Sequence, residues 1–162
     1  MKRIISLLCA VAILGGITFV SGSKVIAADT DYVDGSYLTE QEESYGSSRN
    51  ALTRGEFLST GDCSISKAGR GRVYVYGSTT ANSTVDYISV TMSVEQYNEK
   101  DNAWHQIDYW DTEKTNTYFV STSKSIVVER GYYYRVHAMH YTKMNGVEGD
   151  FGDSVTDGIM IP

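Results

Sequence analysis

Within Val85–Tyr97, the clearest strand, the chain alternates without a break from Tyr87 to Glu95. Ile88, Val90, Met92 and Val94 fall on one side, and Tyr87, Ser89, Thr91, Ser93 and Glu95 fall on the other. A period of two sustained this long defines a β-strand with one buried and one wet face. A buried face needs a second apolar surface to cover it. Other stretches supply candidates. Phe57–Ser66, Arg72–Tyr76, Trp104–Trp110, Tyr118–Thr122, Ser125–Glu129, Tyr132–Thr142 and Val155–Ile161 are rich in Val, Ile, Thr and Tyr, the residues that suit a pleated surface. Asn98–Asn102, Arg130-Gly131 and Asn145-Gly146 separate them as turns. There is one proline, and no segment has a 3.6-residue period. The expected fold is all-β: an antiparallel sandwich of about seven strands over 57–162.

The first 28 residues are excluded from that fold. Lys2 and Arg3 precede a nearly unbroken apolar run from Ile4 to Val20, and the small residues of Val25-Ile26-Ala27-Ala28 follow. This is the plan of a secretory signal peptide, with cleavage after Ala27 or Ala28. The expected location is therefore extracellular. Cys9 lies too deep in the apolar run to be a lipoprotein cysteine. Without the leader, 11 basic residues face 20 acidic ones, a net charge of −9. Nucleic acid and anionic membranes are poor partners for such a chain. Cys63 becomes a lone thiol, so no internal disulfide framework is expected. It is a half-buried strand residue, the site of an intermolecular disulfide or a nucleophile, and no activating partner stands near it in sequence for the last of these.

From Asp29 to Ser44 there are acids at 29, 31, 34, 40, 42 and 43 and no base. Residues 29–56 therefore read as an acidic, poorly ordered arm.

No residue constellation announces catalysis. His137 and His140, three apart on a strand, point to opposite faces and make no joint metal site. In Asp29–Gly35 the third acid and the glycine each come one residue late for a calcium loop, so the segment reads as solvated. Glu148, Asp150, Asp153 and Asp157 ring the last loop and read as solvated carboxylates; as a carboxylate pair they would support the alternative of a small glycan hydrolase. No catalytic residue, metal or cofactor is expected. The aromatic content exceeds the needs of one small core. Trp104 and Trp110, six apart, share a face if their strand is regular. They either build the core or expose a platform for sugar rings or a protein partner. The expected function is a non-enzymatic extracellular binding module for an unidentified protein or glycan, with a secreted toxin or signalling factor as a further alternative.

Two resemblances add to this reading. Tyr132–Ala138 resembles the F strand of fibronectin type III and other immunoglobulin-like domains, with Tyr132 at the tyrosine-corner position and Ile126 at the preceding apolar corner. Val90–Ile107 is similar to the C strand, loop and C′ strand of that fold. The resemblance implies an immunoglobulin-like sandwich, with a buried Tyr132 ring. Gly77–Val85, Gly131–His137 and Asp157-Gly158-Ile159 resemble a family of small exported proteins of Gram-positive bacteria, catalogued as domain of unknown function 6147. That resemblance spans roughly Leu58 to Ile161. It implies source and export route and brings no site residues.

Overall fold

The computed structural model describes residues 32–48 and 57–162. The signal-peptide reading of 1–28 lies outside the described residues. Nine strands form a single sheet: β1 (Tyr32–Val33), β2 (Ser36–Thr39), β3 (Glu43–Ser47), β4 (Leu58–Lys67), β5 (Arg72–Asn98), β6 (Ala103–Val127), β7 (Tyr132–Met144), β8 (Val147–Val155) and β9 (Gly158–Ile161). Their order is β1-β2-β9-β7-β5-β4-β3, with β6 also paired to β5 and β8 to β7.

The sheet curls into a half-barrel because its two longest strands bend in the middle. The β5–β6 ladder loses register between Thr80 and Val85, and on β6 Asn116 takes a φ of +52° near the same point. Such irregularities are where strands turn corners. The two halves of the hairpin then face each other. The backbone of Gly77 lies against Met92 of the same strand, and Trp110 Nε1 donates to Thr122 Oγ1 at 3.1 Å. Residues read as separate short strands are thus parts of two long ones.

The core fills the inside of the curl. Ile88, Val90, Met92 and Val94 are wholly buried, as are Val136 and Ala138, with Tyr134 nearly so. The β5–β7 register sets Met92 beside Ala138 and Val94 beside Val136. Cys63, Ile65, Val73 and Val75 meet them from the opposite wall. This is the packing that the alternation predicts.

Three expectations need correction. First, the sheet is mixed: β2 runs parallel to β9, pairing Leu38 with Gly158 and Thr39 with Ile159. Second, residues 32–48 are not a loose arm; they carry β1, β2 and β3. Their acids point outward, while the positions that alternate inward are Val33, Ser36, Leu38, Ser44 and Gly46. Small polar residues supply much of that face, so hydrophobic periodicity does not reveal it. Ser36 Oγ donates to Thr156 O at 2.7 Å, and Asp157 N donates to Ser44 Oγ at 2.9 Å. Third, Tyr132 is 43% exposed. Tyr134 takes the buried role instead, its hydroxyl donating to Glu129 O at 2.8 Å.

Asp34-Gly35, placed above in a solvated acidic tail, closes the β1–β2 hairpin, with φ of +45° and +86°. Positive φ at both central residues is the signature of a tight two-residue hairpin turn. A Cβ on Gly35 would meet nothing within 4 Å, so Gly35→Ala tests backbone conformation alone. We expect a loss of about 1–2 kcal/mol, read as a lower urea midpoint. An unchanged midpoint would mean that this turn contributes nothing to stability.

Candidate functional site

At one end of the half-barrel, two turns stand side by side and enclose an open cleft of about 600 Å³. The end of β5 contributes Gln96, Tyr97 and Asn98, and the β5–β6 turn contributes Glu99 and Lys100. His105 comes from β6. The β6–β7 turn adds Glu129, Arg130 and Gly131, and β7 begins with Tyr132 and Tyr133. The volume lies within the range of roughly 300–1,000 Å³ usual for small-molecule sites.

Both turns are held by their own side chains. Asn98 Oδ1 accepts from Lys100 N at 3.1 Å, and Tyr97 Oη donates to Asn102 Oδ1 at 2.6 Å. His105 Nε2 lies 2.8 Å from Asp101 Oδ2. On the other side, Gly131 N donates to Ile161 O and Arg130 Nε to Pro162 O, each at 2.6 Å, tying the second turn to β9. The cleft is therefore preorganised, and its charges balance, with Lys100 and Arg130 against Glu99 and Glu129.

Behind the cleft lies a second, smaller apolar cluster. Tyr97, Val33 and Leu38 are buried there, with Trp104 and Tyr133 packed against them. Tyr97 meets Trp104 at 5.4 Å and Tyr133 edge-on at 6.5 Å between ring centroids. Tyr133 Oη donates to Glu40 Oε1 at 3.2 Å. Arg135, 4% exposed, stacks on Trp104 and donates to Glu95 Oε2 at 2.6 Å and to Asp34 O at 2.6 Å. The N-terminal hairpin thus backs the rings that line the cleft.

Trp104 and Trp110 do not share a face. The register shift between Val94 and Glu95 opposes two β5 residues to three on β6, so the side-chain alternation inverts between the tryptophans. Trp110 packs on the main core, and Trp104 packs on the second cluster. Neither forms an exposed platform. Exposed aromatics occur elsewhere. On the outer face Tyr87 and Tyr141 meet edge-on at 6.0 Å, and Phe151, paired to Tyr141, is 59% exposed.

The histidines separate as their spacing predicts. His137 faces outward, 3.7 Å from Asp153 Oδ2. His140 is wholly buried, with Nδ1 2.9 Å from Thr79 Oγ1 and Nε2 2.8 Å from Ser154 Oγ. The Thr79 hydroxyl gives its proton to Ser89 O. Thr79 therefore accepts from Nδ1–H, and Ser154 donates to Nε2. A hydroxyl paired with an imidazole is the connectivity of a nucleophile and its base. Here both are sealed in the core, and the ring lies where a Cβ on Gly61 would sit. Burial lowers the imidazole to about 4, so it is neutral at pH 7. Cys63 is 2% exposed, and burial raises its thiol to about 11, which leaves no thiolate at neutral pH.

The acids of the last loop have separate duties. Asp150 accepts from the backbone N–H groups of Phe57 and Leu58, and Asp157 accepts from Tyr37 N at 2.9 Å. The side chain of Glu148 lies outside the described residues.

A family model for DUF6147, a family of unknown function, matches residues 16–156. The chain belongs to the DUF6147 family. The match reaches further toward the N-terminus than the motif resemblance, and it takes in the β1–β2 hairpin, both cleft turns and the second cluster. No curated protein matches the chain.

Proposed function

We propose that this DUF6147 protein is an exported, non-enzymatic binding module of a Gram-positive bacterium, and that its ligand enters the cleft at Tyr97, Tyr132 and Tyr133. The observation that carries the reading is a contrast of access. The cleft is open and preorganised, whereas the hydroxyl–imidazole pair is buried, and Asp150 and Asp157 are engaged by backbone amides. The leader, the acidic charge and the lone thiol support export.

Two measurements test this. Mass spectrometry of protein from culture medium should show a chain starting at Ala28 or Asp29. An intact leader on the released protein would overturn the export reading. Backbone amide shifts of the labelled mature chain should be followed against a panel of soluble sugars and short peptides. We expect shifts concentrated at 96–105 and 129–133, with the added compound unchanged on long incubation. Shifts centred elsewhere would move the site, and turnover of a compound would make the protein an enzyme.

A further inference from the structure

We infer that the cleft takes a neutral saccharide, with one sugar ring laid against Tyr132. The inference rests on the cleft being the binding site and adds the chemistry of what fills it.

The lining disfavours two other ligand classes. A strongly charged ligand would need an excess of one sign, but Lys100 and Arg130 are matched by Glu99 and Glu129. A lipid chain would need a continuous apolar wall, and charged side chains interrupt this one.

A sugar meets each remaining condition. Its ring has C–H faces that pack on an aromatic ring, and its hydroxyls both donate and accept. Tyr132 is 43% exposed and lies at the cleft wall, so part of its side chain is open to a ligand there. Around it stand acceptors (Glu99, Glu129), donors (Lys100, Arg130) and an amide that does both (Gln96). Arg130 is tied through Nε to Pro162 O, which restricts its guanidinium. Fixed polar groups of both kinds beside an aromatic wall bind a polyhydroxylated ring without first having to reorder.

The test uses the mature chain and four probes: maltose, N,N′-diacetylchitobiose, cationic glucosamine and an anionic heparin disaccharide. Isothermal titration should show binding of at least one neutral disaccharide, with each charged probe weaker by tenfold or more. Affinity should stay level from low to high salt, because no net charge is neutralised. Tyr132→Ser should weaken binding about tenfold while leaving the thermal melt unchanged, since the ring is exposed. Tyr132→Phe should bind as the parent does, because the ring face and not the hydroxyl makes the contact. Tighter binding of a charged probe, or equal affinity in Tyr132→Ser, would overturn the inference. So would failure of both neutral disaccharides to bind. If amide shifts at 96–105 and 129–133 then still respond to a peptide, the cleft remains the site and only the saccharide is wrong. If those amides respond to nothing, both readings fall.

Discussion

Val136→Asp unfolds the domain. Val136 is wholly buried and sits beside Val94 in the β5–β7 ladder. Its N–H donates to Thr156 Oγ1 at 3.0 Å, and its carbonyl accepts from Thr156 N at 2.9 Å. The residue that joins β8 to β9 is therefore hung from its backbone. A carboxylate here would meet Cys63 and aliphatic side chains, with no cation to pair it. An unpaired buried charge costs several kcal/mol even after it takes up a proton, against a total stability of roughly 5–15 kcal/mol for a domain. Circular dichroism of the variant should show no cooperative melt. Val136→Ala keeps the polarity and loses only volume, so it should still fold. A variant with aspartate that melts like the parent would mean that this strand's inner face has been misassigned.

Mild acid should weaken the fold through His140. Burial holds its imidazole at about 4, against 6.5 for a free side chain. The unfolded chain therefore takes up a proton as the pH drops below about 6.5, while the folded chain resists it until near 4. Stability is full above pH 6.5 and is lost through that window. Linkage gives a loss of about 2 kcal/mol by pH 5 and about 3 kcal/mol by pH 4. Urea midpoints measured from pH 7 to pH 5 should fall steeply for the parent. In His140→Gln they should start lower and stay nearly level. A parent curve that is flat over this range would sink the argument, and so would a variant curve of equal slope.

What could be read in the sequence was what apolar alternation writes plainly. The inward faces of Val85–Tyr97 and Tyr132–Thr142 were legible because apolar residues recur at every second position, Ile88, Val90, Met92 and Val94 in the first and Tyr134, Val136 and Ala138 in the second. The hairpin of Tyr32–Thr39 was hidden because its inward positions include Ser36 and its acids suggested a tail. The Asp-Gly of its turn is a hairpin signal, but inside an acidic segment it reads as part of a solvated tail. The bulge that separates Trp104 from Trp110 leaves no mark in composition. Tyr132 and Tyr134 are two residues apart and share an identity. They therefore share a face of the strand, and Tyr132 is exposed because it opens β7 at the strand's end while Tyr134 reaches the core. The cleft was the least legible feature, because its two walls lie about thirty residues apart and neither is unusual alone.

The parallel pairing of β2 with β9 sets an order of assembly. Ser36 reaches Thr156, a neighbour 120 residues away in the chain. A chain emerges N-terminal end first, so the β1–β2 hairpin must wait for β9. The β5–β6 ladder can zip outward from its own turn in the meantime, because its contacts near Asn98 and Ala103 are local. Until Gly158–Ile161 is free to pair, Val33 and Leu38 lack the β9 edge that seats them, and the cleft lacks its backing. Completion of the binding site is thereby tied to β9: a chain cut short before Gly158 could form much of its core and still present no finished cleft.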